Sequence, residues 1–223
     1  MFIGHYAPAL IAAAHPKAPR LGVTFIAAQL VDLAFFAFVL TGTEKMRVTP
    51  GLTEMSPLDF YHMPYTHSLA GGIIFAAVMA WVIYYFSRSA AAAIIGGAVV
   101  VSHWFVDLLV HAPDLTLFGG PPKLGLALWD YPLIEMPLEL GITGAALGYY
   151  YTKVRARDGA WVGGVIKKPL LSLGGVMLVL QLYSWLSSEP AEVGLALPLT
   201  ALAAYGLFIW LAFRVDWARR QEN

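Results

Sequence analysis

The chain has 223 residues, of which 59% are hydrophobic and 13% charged, and its mean hydropathy is +0.67. This composition excludes a soluble globular domain, in which about 25% of the residues are charged. Fourteen basic and fourteen acidic residues give a net charge of zero, so we expect no nucleic acid partner. Because cysteine is absent, any metal site must use imidazole and carboxylate ligands.

Six apolar segments are long enough to cross about 30 Å of hydrocarbon. They predict spanning helices at residues 21–42, 68–87, 90–111, 132–152, 169–186 and 195–215. No linker is long enough to separate domains. We therefore expect an all-α, polytopic membrane helical bundle in which residues 1–223 form a single transmembrane domain within the lipid bilayer. The motif-bearing part covers about residues 1–115, and residues 116–223 add further helices.

An apolar run at the start of the chain, residues 1–16, is too short to span and lacks the basic region of a signal peptide. Pro16 and Pro19 predict a turn before the first full helix. At 1.5 Å per residue, His5 would lie about 15 Å above that turn, level with Asp32 on the next helix. We therefore expect an N-terminal half-helix inside the bundle, with His5 near Asp32 or near the same ion.

The third apolar segment carries His103, Asp107 and His111 at successive steps of four residues. Residues with this spacing lie on one face of a helix. His103 and Asp107 could then ligate one metal ion from adjacent turns. The alternative is an internal histidine–aspartate hydrogen bond that only neutralises the carboxylate.

Two further polar groups are expected at the outer ends of the helices. His62 and His67 flank Pro64, and His67, at the start of the second helix, is either a metal ligand or an interfacial histidine. Glu135 and Glu139 are one turn apart at the start of the fourth helix, where the helix dipole alone also favours acidic residues. We expect His62 or Glu135 to act as the general base.

Four motifs follow one another along the first half of the chain: Gly4-His5, Leu30-x-Asp32, His62-x-x-x-x-His67-Ser68 and Ser102-His103-x-x-x-Asp107. In this order and spacing they resemble bacterial inner-membrane metal-dependent hydrolases over roughly the first 115 residues. The resemblance implies a location in the bacterial inner (cytoplasmic) membrane and a divalent metal ion such as zinc. The ligands it implies are drawn from His5, Asp32, His67, His103 and Asp107.

The chain departs from that family after the first aspartate. The family pattern continues as Asp-x-Asp-His, whereas this sequence reads Asp32, Leu33, Ala34, Phe35. The loss of one carboxylate and one imidazole argues against a two-metal centre and leaves a single-metal site.

The expected function is therefore a membrane-embedded metal-dependent hydrolase that acts on a phosphoester or lipid-linked substrate at the outer leaflet. One alternative is a non-enzymatic accessory or assembly subunit of a larger membrane protein complex, with the polar cluster as a structural site. A histidine-ligated haem or a proton path is a third reading, because intramembrane histidines and carboxylates also serve those roles.

The distribution of basic residues predicts the orientation of the helices. If both termini are cytoplasmic, all Lys and Arg residues except Lys45, Arg47 and Lys123 lie on the inner side, in accordance with the positive-inside rule. Residues 153–168 should then form a cytoplasmic loop. A cysteine replacing Ala160 should react with a membrane-impermeant maleimide only after the inner face is exposed, whereas one replacing Lys123 should react in intact cells. Labelling of Ala160→Cys from outside would contradict this orientation.

Overall fold

The structure is a computed structural model that describes residues 1–187 and 192–220. Within these ranges the α-helices are α1 (Tyr6–Ala13), α2 (Leu21–Leu40), α3 (Leu69–Ser87), α4 (Ala90–Val110), α5 (Pro132–Asp158), α6 (Ala160–Leu186) and α7 (Ala196–Arg220). Four short strands lie in the connections: β1 (Lys45–Val48), β2 (Leu58–His62), β3 (Leu115–Thr116) and β4 (Lys123–Leu124). Single 3₁₀ turns cover Ile3–His5 and Leu128–Asp130. The predicted all-α membrane helical bundle is confirmed.

Five of the described helices, α2, α3, α4, α6 and α7, are long and apolar enough to cross a membrane. The sequence predicts six, and the difference concerns α5. This helix has 27 residues, which is sufficient length, but Glu135 and Glu139 lower the mean hydropathy of its first half. Both carboxyl groups are buried inside the bundle, so α5 is a long helix with a polar inner face.

The predicted loop at residues 153–168 is wrong, because most of these residues are helical. α5 continues to Asp158 and α6 starts at Ala160, so the turn consists of Gly159, whose φ of 98° suits glycine. Asp158 accepts hydrogen bonds from Arg157 and Arg219, which joins the end of α5 to α7. Burial raises the pKa of Asp158, but these two hydrogen bonds outweigh it and lower that pKa below its usual value.

The N-terminal helix α1 lies inside the bundle, packed against α2 and α5. Tyr6, Ala9 and Leu10 are completely buried, and the ring of Tyr6 stacks on Phe25 with 4.5 Å between the centroids. The remaining helices surround this contact: α3 and α4 form a tight antiparallel pair, α2 packs on α4 and α7, and α6 packs between α5 and α7. The predicted half-helix is therefore confirmed.

Two antiparallel hairpins, β1–β2 and β3–β4, pack against one end of the bundle, beyond the last residues of α2 and α4. Their side chains Met46, Phe60 and Leu115 are buried in an apolar cluster with Phe35 and Trp104. The β3 residue Thr116 also donates its backbone N–H to the carbonyl of His67. The hairpins, which the sequence analysis does not predict, thus fix the segment that enters α3.

At the opposite end of the bundle, the Asp216 carboxylate of α7 accepts hydrogen bonds from the backbone N–H groups of Leu21 and Gly22, at 3.0 and 2.8 Å. It therefore caps the start of α2 from another helix. We expect Asp216→Ala to lower the free energy of unfolding by about 1–2 kcal/mol, because two helix N–H groups lose their acceptor.

Thermal unfolding in detergent measures this effect, with Arg214→Ala, an exposed change on the same helix, as the control. Equal melting temperatures for the two variants would contradict the capping role.

Candidate metal centre

The carboxylate of Asp107, on α4, lies at the centre of four imidazole rings. Its Oδ1 is 2.8 Å from Nε2 of His5 and 3.4 Å from Nε2 of His111. Its Oδ2 is 3.0 Å from Nε2 of His103 and 3.6 Å from Nε2 of His67. All of these side chains are buried. Five residues from three parts of the chain, the N-terminal turn, the segment that enters α3, and α4 with its last turn, therefore direct polar atoms into one small volume.

A second carboxylate, Asp32 of α2, completes the cluster. Its Oδ1 lies 3.3 Å from Nε2 of His67 and 3.4 Å from Nε2 of His103. Its Oδ2 accepts hydrogen bonds from the amide of Gln29 and the hydroxyl of Tyr205. Because these two donors hold one oxygen, the other oxygen is oriented toward the histidines.

Three of the histidines have a partner at Nδ1, on the side away from Asp107. The Nδ1 atom of His103 is 2.8 Å from the carbonyl of Ala28, and that of His111 is 3.0 Å from Oδ1 of Asp114. Each acceptor orients its ring so that Nδ1 donates away from the cluster and Nε2 faces the carboxylates.

The partner of His67 belongs to a longer chain of hydrogen bonds. Nδ1 of His67 is 2.9 Å from the hydroxyl of Thr66, which in turn donates to the Glu44 carboxylate at 2.6 Å. Because the hydroxyl proton goes to Glu44, Thr66 accepts the Nδ1 proton of His67. The Nε2 atoms of all three histidines are thus available as ligands.

The segment before α1 places His5 in the cluster. The His5 ring lies nearly parallel to that of His103, with 3.9 Å between centroids and 14° between planes. One carboxylate oxygen of Glu139, Oε1, accepts the backbone N–H groups of Phe2 and Gly4 at 2.6 and 2.9 Å. Glu139 thus anchors the turn that carries His5.

The arrangement has the dimensions of a metal site. A tetrahedral ion with bonds of about 2.1 Å has ligand atoms about 3.4 Å apart. The four measured separations among Asp32 Oδ1, His67 Nε2, His103 Nε2 and Asp107 Oδ2 are 3.0–3.6 Å. His103 Nε2 and Asp107 Oδ2 lie 3.0 Å apart, a distance that suits a histidine–aspartate hydrogen bond and also two ligands of one ion. His5, His103 and Asp107, and likewise Asp32, His67 and His103, direct ligand atoms to within 4.8 Å of one another, so these residues fit a divalent metal ion.

Electrostatics at the edge of the cluster favour positive charge as well. His111 follows the last residue of α4 and is buried. Its Nε2 lies 3.4 Å from Oδ1 of Asp107, and its Nδ1 lies 3.0 Å from Oδ1 of Asp114. The same two carboxylates would attract a metal ion.

The structure brings together all five predicted ligands: His5, Asp32, His67, His103 and Asp107. The two predicted bases, His62 and Glu135, do not line the cavity that contains this cluster. His62 is exposed at the end of β2, opposite Lys45, because the strand turns Phe60 inward instead. Glu135 is completely buried beside Glu139 and has no hydrogen-bond partner among the described residues. We therefore assign no base role to His62 or Glu135.

A cavity of about 710 Å³ connects the cluster with the surface. Its walls are mostly apolar and include Phe35, Phe36 and Leu197. Tyr183 of α6 and Thr200 of α7 also line it, and both are exposed. The cavity thus opens between two candidate spanning helices near the end of the bundle that carries the hairpins.

The residues that orient the ligands are absent from the sequence analysis: Ala28, Gln29, Glu44, Thr66, Asp114 and Tyr205. Two of them have a local signal. Asp114 follows His111 by three residues, and Thr66 directly precedes His67. Glu44 and Tyr205 act across long stretches of chain, and no spacing in the sequence indicates them.

No protein-family model matches the chain, and neither curated proteins nor solved structures give a match.

The anchoring role of Glu139 can be tested by replacing its carboxylate. Glu139→Leu leaves the buried N–H groups of Phe2 and Gly4 without an acceptor, and we expect it to lower the free energy of unfolding by about 2–3 kcal/mol. Glu139→Gln keeps an acceptor oxygen and is the matched control, with a smaller loss. Thermal unfolding in detergent separates them, and equal melting temperatures would show that Glu139 does not hold the N-terminal turn.

Proposed function

We propose that the protein is a membrane-embedded metal-dependent hydrolase. The observation that carries this proposal is the convergence of Asp32, His67, His103 and Asp107, each of whose facing atoms lies 3.0–3.6 Å from two others of the set. The hydrogen bonds at Nδ1 of His67 and His103 support it, because ligating histidines regularly donate their second ring proton to an oxygen. Zinc suits this set of nitrogen and oxygen ligands.

Each ligand has a distinct task in this proposal. Asp32 presents one oxygen because Gln29 and Tyr205 hold the other. His67 and His103 present Nε2 because their Nδ1 protons are engaged elsewhere. A bound divalent ion would lower the pKa of a coordinated water toward neutrality and polarise a phosphoryl or carbonyl oxygen. The apolar walls at Phe35 and Phe36 would limit access of bulk water to this site.

The cavity favours an amphiphilic substrate such as a phospholipid or a lipid-linked phosphate. Asp107 lies one turn before the end of α4, and Asp32 lies eight residues, or about 12 Å, before the end of α2. A headgroup could enter near the bilayer surface and reach the cluster. Its acyl chains could remain in lipid through the opening beside Tyr183 and Thr200.

The proposed location follows from the same geometry and from the charge distribution. With both termini on the cytoplasmic side of a bacterial inner membrane, the hairpins and the cavity opening belong to the outer leaflet. The basic residues at the α5–α6 turn and at the end of α7 would then lie inside, as the positive-inside rule requires.

Metal content tests the site directly. Detergent-purified wild-type protein, with any affinity tag removed, should contain zinc or another divalent ion at one or more per chain. His103→Ala and Asp107→Ala should each remove most of it, and the double variant should lose little more, because the two ligands act as one unit. His62→Ala, an exposed histidine outside the cluster, should keep the full content.

Turnover is measured on the same preparations with 4-nitrophenyl phosphate, bis(4-nitrophenyl) phosphate and dioleoyl phosphatidic acid in mixed micelles. We expect hydrolysis that chelation abolishes and zinc restores. A wild-type protein without metal would favour the non-enzymatic subunit, as would a folded Asp107→Ala variant with unchanged metal content.

A further inference from the structure

We propose that Asp107 bridges two metal ions, so that the cluster is a binuclear centre with a second ion held by His5, His111 and Oδ1 of Asp107. This inference rests on the proposed function and deepens it. The first ion would be the one already assigned to Asp32, His67, His103 and Oδ2 of Asp107.

The two oxygens of Asp107 face different pairs of histidines. Oδ2 faces His67 and His103, while Oδ1 lies 2.8 Å from Nε2 of His5 and 3.4 Å from Nε2 of His111. The N-terminal ammonium of Met1 also lies 3.4 Å from Oδ1, so a second ion would replace its contact with that oxygen. One ion at Oδ2 accounts for only the first pair. The second pair faces the other oxygen of the carboxylate, at nitrogen–oxygen distances of 2.8 and 3.4 Å.

Each histidine of the second pair is prepared for ligation or lacks another role. The Nδ1 atom of His111 is 3.0 Å from the Asp114 carboxylate, so its Nε2 is the free nitrogen, as in a carboxylate–histidine–metal arrangement. Nε2 of His5 is buried and lies 2.8 Å from Oδ1 of Asp107. An ion between His5, His111 and Asp107 would satisfy both nitrogens.

Ring stacking sets the distance between the two ions. His5 and His103 lie 3.9 Å apart and 14° from parallel, and their Nε2 atoms face the two different oxygens of Asp107. Ions in the planes of two such rings would be separated by about the ring spacing, within the roughly 3.5–4 Å typical of two-metal hydrolytic sites.

This assignment also resolves an expectation from the sequence. The missing Asp-x-Asp-His continuation after Asp32 argues against a second ion because it removes a carboxylate and an imidazole. In the structure, the candidate ligands of the second ion come from other positions. His5 and His111, which lie outside that motif, face Oδ1 of Asp107, and Asp107 would be shared by the two ions. His111 thereby gains a role that a single-ion site does not give it.

Stoichiometry separates this inference from the proposed function. Wild-type protein equilibrated with Zn²⁺ and freed of excess ion should contain two zinc ions per chain by mass spectrometric elemental analysis. His5→Ala and His111→Ala should each reduce this to one, and His15→Ala, a histidine outside the cluster, should retain two. A wild-type value of one would overturn the second ion while leaving the proposed hydrolase intact, and a value of zero would overturn both.

Electron paramagnetic resonance of the Mn²⁺-loaded wild type gives a test that needs no variant to fold. Two Mn²⁺ ions bridged by Asp107 should show exchange-coupled signals in place of the six-line spectrum of an isolated ion. A six-line spectrum from protein that retains two Mn²⁺ ions per chain after unbound Mn²⁺ has been removed would overturn the bridge. Where His5→Ala or His111→Ala does not fold, this spectrum alone decides.

Discussion

The burial of the Asp107 carboxylate among four imidazoles is the constraint on which the rest of the structure depends. An isolated carboxylate inside a membrane protein is costly, so it must be surrounded by partners that compensate its charge. Those partners come from the N-terminal turn, the start of α3, and α4 itself, with Asp32 of α2 beside them. The contacts among these elements are therefore set by one polar group, while the apolar core around Tyr6 and Phe25 supplies most of the packing.

Local spacing was sufficient to predict part of this site. The steps of four residues from His103 to His111 place three side chains on one helix face, and the depth argument places His5 within the bundle; both geometries are present in the structure. Helix ends were less predictable, because α5 and α6 continue through basic residues that hydropathy assigns to a loop. Long side chains at a helix end can extend to the interface without breaking the helix.

The orienting residues could not be predicted because their partners are distant in sequence. Glu44 reaches His67 only because the β1–β2 hairpin folds over the end of the bundle, and Tyr205 reaches Asp32 across 173 positions. Glu139 resembles an ordinary acidic residue in the first turns of a helix, yet it accepts two N–H groups from the N-terminal turn. Its role depends on α1 packing against α5, which no pattern within α5 indicates.

Charge balance connects the metal centre with the class of substrate that we propose. Asp32 and Asp107 together carry two negative charges, which one divalent ion neutralises, and Asp114 behind His111 adds a third. Two divalent ions and the N-terminal ammonium of Met1, which lies 3.4 Å from Oδ1 of Asp107, would together exceed these three carboxylates and leave a net positive charge in a buried, mostly apolar cavity. Because such a charge is strongly disfavoured at low dielectric, the centre would favour an anion that can reach it, such as a phosphate group. The positive charge alone would attract a soluble anion as well as a lipid phosphate. The cavity opens between α6 and α7, which are both candidate spanning helices, so a phosphate carried by a lipid would reach the centre from within the membrane.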